Sequence, residues 1–285
     1  MTRLAAADEA ALIAIVREVA AAEIMPRFQR LESGQVDEKS GPHDLVTEAD
    51  LAAEKAITTA IRARFPEALI VGEEAVAADP ALRHRIAEAE LAFIIDPVDG
   101  TWNFAHGLPL FGVILAATRF GQPIFGLLHD PVMDDWITAG EESPARMVHA
   151  DGRERAIAVS GGATAATASG FMHFNLLPQA HQQAMAPLYA GIGRIYSLRC
   201  SCHEYRVLAR GAADFCFSGT LNPWDHLAGA FITRRAGGVA RMLDGRDYDA
   251  AVTEGFLLVA SDEPTWEALR AEIQARLDEV GTAPA

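Results

Sequence analysis

The sequence predicts an α+β protein of two layered sheets flanked by helices, and three observations predict it. Amphipathic stretches of helical period open the chain, over residues 6–30 and Thr47–Arg64. Short apolar strands with turn signals between them follow from about residue 91 to 160. The second half then alternates helix and strand to residue 279, a texture that calls for sheets with helices packed on them.

In the first helix, Leu12, Ile15, Val16, Val19 and Ile24 lie near one stripe, and Pro26 kinks or ends it. Residues 31–46 are polar, with Gly34, Gly41 and Pro42, which predicts a loop. Thr47 and Asp50 match a capping box at the start of the second helix, and Pro66 closes it. Leu69–Val71 is a short strand leading into Gly72-Glu73-Glu74, and Leu91–Ile95 is another that ends abruptly at Asp96-Pro97. Val113–Thr118, Pro123–His129 and Asp135–Thr138 read as strands, with Gly121-Gln122 turning between the first two, and Ala156–Ser160 starts another. Helices near 178–190, 202–210, 225–236 and 264–279 alternate with strands near 194–198, 212–217 and 256–260. The expected division is an N-terminal α+β subdomain, residues 1–150, and a C-terminal α/β subdomain, residues 151–285.

Aspartate and glutamate number 39 against 24 lysines and arginines, a net charge of −15. A field of that sign repels nucleic acid and anionic membrane, so no direct contact with either is expected. Any anionic substrate then needs a local reversal of sign. With 50% hydrophobic and 22% charged residues the chain is neither disordered nor fibrous. Three cysteines, Cys200, Cys202 and Cys216, are too few for a disulfide framework and fit a reducing compartment. Asp8, Glu9, Arg17 and Glu18 interrupt the N-terminal apolar stretch, which excludes a signal-peptide core there. The uncharged runs Gly100–Thr118 and Ala156–Gly193 hold too many Gly, Pro, His and amide residues to span a bilayer. A cytoplasmic location is expected.

The chemistry gathers in Asp96-Pro97-Val98-Asp99-Gly100-Thr101-Trp102-Asn103-Phe104. Pro97 fixes φ where an apolar strand ends, and Gly100 permits a sharp turn, bringing Asp96 and Asp99 to one side. Two such charges are unfavourable together unless a cation lies between them, and Mg²⁺ takes oxygen ligands. Gly100–Asn103 can open a helix whose free N–H groups face an anion. Alone, an Asp-Gly turn is an ordinary surface turn. Gly72-Glu73-Glu74 alone is a solvated loop, Asp225 a first-turn carboxylate, and Thr47 and Asp50 a cap.

Together these segments resemble the inositol monophosphatase family. The resemblance runs from about residue 39 to 260, through Lys39–Asp50, Gly72-Glu73-Glu74, the nine-residue aspartate motif, Trp224-Asp225-His226-Leu227-Ala228-Gly229 and Ala236-Gly237-Gly238, in the family's order and spacing. It implies a stacked αβαβα sandwich of two mixed sheets flanked by helix pairs, hydrolysis of a small phosphomonoester by metal-activated water, sensitivity to lithium and a homodimer. It implies two to three Mg²⁺ per site: the first on Glu73, Asp96 and the Val98 carbonyl, the second on Asp96, Asp99 and Asp225, and a weaker third using Glu73. It further implies that Thr101, bonded through Asp50, orients the attacking water, and that the Gly100 and Thr101 N–H groups bind phosphate.

The substrate side departs from the family. Ser218 stands where inositol-selective members carry a glutamate, and Arg199 stands among normally small residues in Ser197–Tyr205. Arg199 either contacts a second anionic group on the substrate or pairs with an acid such as Glu204. Arg235 replaces a glutamate before Ala236, remote from the metals. Cys200-x-Cys202-His203 lacks a fourth ligand at structural-zinc spacing and reads as buried cysteines. His106 and His226 flank the motifs without an assigned role. A 3′-phosphonucleotide, a fructose bisphosphate and histidinol phosphate stay open as substrates. A different class also stays open, a regulator that binds the transcription machinery without catalysis.

Overall fold

A computed structural model describes residues 4–32 and 34–282. Helix α1 (Ala6–Val19) continues through a π turn at Ala20–Ile24 and a 3₁₀ turn at Met25–Arg27. The helical run expected to residue 30 therefore stops at Arg27, next to Pro26, which has no N–H to donate. Residues 31–46 are not a loop throughout: they hold a hairpin of β1 (Val36–Gly41) and β2 (Asp44–Thr47). β1 is polar after Val36, and the apolar residues of β2, Leu45 and Val46, are adjacent, so no apolar alternation marks them. Helix α2 (Glu48–Arg64) starts on the expected box: Thr47 accepts the Ala49 N–H, and Asp50 accepts the Thr47 N–H.

Strand β3 (Leu69–Gly72) leads into a short helix, α3 (Glu73–Ala78), so Glu73 and Glu74 open a helix rather than a loop. After α4 (Ala81–His84) comes β4 (Ala92–Asp99). It does not end at Asp96-Pro97 but continues through a register shift between Asp96 and Asp99. Helix α5 (Thr101–Ala105) precedes β5 (Gly112–Arg119), β6 (Gln122–Asp130), β7 (Asp135–Gly140), β8 (Arg146–Val148) and β9 (Glu154–Ala156). Phe120 and Gly121, at φ 48° and 78°, make the two-residue turn before β6, one residue earlier than the sequence reading. Of the strand expected at Ala156–Ser160 only Ala156 is in β9.

The second half runs β10 (Ser169–Met172), α6 (Gln179–Met185), α7 (Leu188–Gly191), β11 (Arg194–Tyr196), α8 (Ser201–Ala209), β12 (Phe215–Ser218), α9 (Pro223–Arg235), β13 (Val239–Met242), β14 (Leu257–Ala260) and α10 (Glu263–Thr282). Pro187 divides the helix expected over 178–190. The strand expected at 212–217 begins only at Phe215. Strands β8, β10 and β13 were not foreseen; three or four residues are too few for alternation to be legible.

Strands β3 to β9 form a seven-stranded sheet in chain order, antiparallel except for β3 beside β4. Strands β10 to β14 form a mixed five-stranded sheet in the order β11-β10-β12-β14-β13, and β1 and β2 pair only with each other. Along β4, Phe93 and Ile95 pack into the core that holds Leu12 of α1 and Ile57 of α2, while Ala92 and Ile94 join Leu227 and Ile232 of α9. In the second sheet, Cys216 and Val259 share that α8–α9 core, while Phe215 and Leu258 pack with Met185, Leu188 and Trp266. The layers are thus α1–α2, sheet, α8–α9, sheet, and α6, α7 and α10, which is the αβαβα sandwich. Covering both faces of each sheet explains why the central strands read as unbroken apolar runs. Among the described residues, no helix is long and apolar enough to cross a membrane.

Candidate active site

The last residues of β4 are buried and carry Asp96, Pro97, Val98 and Asp99. Asp96 Oδ1 accepts the Val98 N–H at 3.1 Å, folding the carboxylate back along its own strand. Gly100 then turns the chain at φ 88°. A Cβ there would stand 2.8 Å from the Leu110 carbonyl oxygen, so the turn requires glycine. Asp225 arrives from the first turn of α9, where Asn222 Nδ2 donates to it at 3.1 Å. Oxygens of Asp96, Asp99 and Asp225 all lie within 4.8 Å of one another.

That convergence has an electrostatic cost. Burial, then Glu73, Asp99 and Asp225, push the Asp96 carboxyl well above the usual range. Burial and Asp225 push Asp99 up to about 7, against the stabilising Cys202 N–H and Cys200 thiol. Burial raises Asp225 too. Hard oxygen donors that repel one another in a low-dielectric site fit a divalent cation, whose charge would remove the repulsion.

Glu73, the first residue of α3, stands outside that oxygen cluster. Lys39 of β1 holds it: Nζ is 2.8 Å from Glu73 Oε1 and 2.6 Å from Glu74 Oε1. Burial raises Glu73, and Lys39 pulls it back. Glu54 of α2 accepts the N–H groups of Glu74 and Ala75 at 2.8 and 2.9 Å, which fixes the start of α3.

The Thr101 hydroxyl lies 3.1 Å from Asp50 Oδ1 and 3.0 Å from the Val98 carbonyl. Asp50 Oδ2 meanwhile accepts the Thr47 hydroxyl at 2.5 Å and its N–H at 2.9 Å. Burial pushes Asp50 up to about 7 despite those bonds. Thr101 is the first residue of α5, so its N–H lies in the first turn, where no helical carbonyl is available to it. Asn103 ties that helix to the segments before β5 and before α8, donating to the Leu110 and Leu198 carbonyls at 2.8 Å each.

The start of α8 grips Asp99 from the other side. The Ser201 N–H donates to Oδ1 at 3.2 Å, and the Cys200 thiol to Oδ2 at 3.0 Å, joined by the Cys202 N–H. The cysteines are free and buried, as the sequence indicated, but their hold on Asp99 was not legible from spacing. Arg199 does not pair with Glu204, whose carboxylate takes His173 and the Leu198 N–H. Its guanidinium instead lies 4.1 Å over the Trp102 ring, on a backbone held at φ 53°. Ser218 is buried, and its hydroxyl donates to the Thr220 carbonyl at 2.8 Å, closing a turn. His106 stacks on Trp102 at 4.0 Å, and His226 is buried between Tyr205 and the Thr220 carbonyl.

A cavity of about 490 Å³ is lined by Glu73, Asp99, Gly100, Thr101, Asp225 and Arg199, with Trp102, His173, Phe174 and Tyr189 beside them. Asp50, Asp96, Val98 and Ser218 do not line it. Asp50 and Val98 bond the lining Thr101, Asp96 clusters with the lining Asp99 and Asp225, and Ser218 bonds the carbonyl of the lining Thr220. Phe174 and Tyr189 pack ring to ring at 4.5 Å. The sequence reading missed His173 and Tyr189, which sit on short elements with no motif around them.

The chain is a five-layered αβαβα sandwich around a buried carboxylate cluster, and comparison with known proteins gives its family. The profile of the inositol monophosphatase family matches residues 5–279. A fructose-1,6-bisphosphatase/inositol-1-monophosphatase of Thermotoga maritima is 28% identical over 215 residues, 75% of this chain and 78% of that one. A Vibrio cholerae protein named Nus factor SuhB is 28% identical over 236 residues, 79% of this chain and 82% of that one. The solved structure of a Thermotoga maritima IMPase matches with a TM-score of 0.78 at 26% identity, covering 94% of this chain and 97% of that one. The chain belongs to the inositol monophosphatase family and is a phosphomonoesterase.

Proposed function

We propose that the cavity hydrolyses a small phosphomonoester with the help of two to three Mg²⁺ ions, releasing inorganic phosphate. The observation that carries the reading is the meeting of Asp96, Asp99 and Asp225 within 4.8 Å, beside a lining threonine bonded to a buried aspartate. Glu73, Asp96, the Val98 carbonyl, Asp99 and Asp225 would hold the metal. Bound Mg²⁺ supplies positive charge against the phosphoryl group and makes water a stronger acid. It also provides the local reversal of sign that an anionic substrate needs on a chain of net charge −15.

The chain's own residues do the rest. Thr101 fixes the direction of the attacking water, and Asp50 takes the proton that passes through the Thr101 hydroxyl. Gly100 and Thr101 offer their N–H groups to the phosphate oxygens. Lys39 offsets the charge of Glu73 and Glu74.

On the substrate side, Arg199 is exposed and stacked, with no carboxylate partner among its hydrogen bonds. A non-glycine residue at positive φ is strained, and such strain is retained where it serves a site. These features support a substrate with a second anionic group, such as a bisphosphate or a phosphonucleotide. Ser218 acts at most through the Thr220 turn. The family also supports a homodimer. The experiment is phosphate release from inositol, sugar, nucleotide and amino-alcohol phosphates, with Mg²⁺ and with EDTA. Metal-independent release, or none from any ester, defeats the proposal; the second result would favour a regulator that binds the transcription machinery without catalysis.

A further inference from the structure

His173 follows β10 directly and lines the same cavity as Asp99, Thr101 and Asp225, with its side chain 15% exposed. Its Nε2 lies 2.9 and 2.8 Å from the two oxygens of Glu204. Glu204 is itself buried on α8 and fixed by the Leu198 N–H at 2.7 Å. A ring nitrogen between two carboxylate oxygens carries the proton, so Nε2 is the donor to Glu204. The other nitrogen, Nδ1, has no hydrogen-bond partner within the described residues. It is also not among the buried ring nitrogens left without one, as those of His129 and His181 are. Nδ1 is therefore reachable, on a residue that lines the cavity. The arrangement is a carboxylate that orients an imidazole and leaves its far nitrogen free to meet a ligand.

We propose that His173 is the general acid of this hydrolase: its Nδ1–H protonates the ester oxygen as that oxygen leaves phosphorus. This rests on the phosphatase reading and adds a group to it. Water forms the new P–O bond. The electron pair of the breaking P–O bond stays on the ester oxygen, which takes the proton from Nδ1 and departs as an alcohol. The neutral imidazole regains a proton from solvent. The acids facing the ring favour its cationic form: Glu204 on α8, Asp225 on α9 and Asp99 on β4; His226 on α9 also faces it, and burial lowers its pKa to about 4, so it stays neutral. Burial is the largest influence and opposes the charge, but Glu204, Asp225 and Asp99 together outweigh it, so the His173 pKa is raised. With a cation bound at Asp99 and Asp225, Glu204 still remains.

The test compares glycerol 2-phosphate, whose alkoxide needs a proton, with p-nitrophenyl phosphate, whose phenolate does not. The full chain is assayed with Mg²⁺ as wild type, His173→Gln and Glu204→Gln. His173→Gln is expected to lower kcat on the alkyl ester about 10²-fold, and on the aryl ester at least ~10-fold less. The wild-type kcat on the alkyl ester falls at high pH, the fall moves to lower pH in Glu204→Gln, and the aryl ester lacks it. Equal losses on both esters, or a change confined to KM, would overturn the assignment. Should His173→Gln fail to fold, the wild-type and Glu204→Gln profiles decide, and the same high-pH fall for both esters overturns it. A wild type inactive on every phosphomonoester sinks the phosphatase reading together with this one, a result distinct from the others.

Discussion

The Thr101 hydroxyl meets Asp50 Oδ1 at 3.1 Å, joining side chains 51 residues apart in the chain. Asp50 serves two masters in that contact. One oxygen completes the cap of α2 through Thr47, and the other holds the threonine of the cavity. Thr101→Ala removes orientation and leaves the charges in place. It is expected to lower kcat on the order of 10²-fold with little change in melting temperature. Asp50→Asn is expected to lose the same activity and also about 1 kcal/mol of stability, the scale of a lost helix cap. Denaturant titration beside steady-state kinetics separates the two, and a Thr101→Ala variant affected only in KM would move the residue to substrate binding.

Asp96 carries the largest electrostatic burden. It is buried, and its pKa is raised by burial, then by Glu73, Asp99, Asp225 and Asp50. Replacing it with asparagine removes a charge at the centre of the cluster. Asp96→Asn is expected to reduce kcat by at least ~10²-fold, the scale of one key electrostatic group. The same variant is expected to be more stable than wild type when both are stripped with EDTA, because repulsion falls. Thermal melts with and without Mg²⁺ check this; a stripped variant less stable than stripped wild type contradicts the repulsion argument.

Glu54 gives a pH prediction away from the ligand oxygens. Burial pushes its carboxyl to about 7, while the Glu74 and Ala75 N–H groups pull it down. The folded pKa is therefore above the usual 4.5, so the folded protein binds more protons than the unfolded chain between those values. The corresponding stability is fully present below pH ~4.5 and is lost as pH rises through ~7. Wild type is expected to lose up to about 3 kcal/mol relative to Glu54→Gln across that window, since each displaced pKa unit is worth about 1.4 kcal/mol. Urea titrations of both proteins from pH 4.5 to 8 measure it, and a stability difference that does not change with pH would show that Glu54 stays ionised.

Much of this site was legible because its residues sit in motifs whose local chemistry is strong. Asp96, Pro97, Asp99 and Gly100 announce a turn at a strand end, and Thr47 with Asp50 announces a cap. What the sequence hid depends on long-range docking. The grip of Cys200 and Cys202 on Asp99 spans 101 and 103 residues. The Lys39 bridge to Glu73 comes from a polar hairpin with no apolar period. His173 belongs to no motif, and its meaning comes only from Glu204, 31 residues later. Arg199 stands out among small residues in the sequence, yet its stacking on Trp102 is not legible there, because the turn at positive φ decides where the guanidinium lands.

That same turn yields the last prediction. Arg199 holds φ 53°, a conformation that costs a side chain roughly 1–2 kcal/mol and glycine nothing. Alanine keeps the strain and removes the guanidinium; glycine removes both. Arg199→Gly is therefore expected to be more stable than Arg199→Ala by about 1 kcal/mol, less the entropy that glycine gains in the unfolded chain. Both variants lose the cation held 4.1 Å over Trp102. Each is expected to lose about 1.5–3 kcal/mol in kcat/KM on a doubly anionic ester, the range for a hydrogen bond to a charged group. Glycerol 2-phosphate, with no second anion, should be hydrolysed nearly as before. The comparison also separates strain from recognition. If Arg199→Gly gains stability and keeps its selectivity for the doubly anionic ester, the guanidinium is only a lid on Trp102, and the second anion must be recognised elsewhere in the cavity.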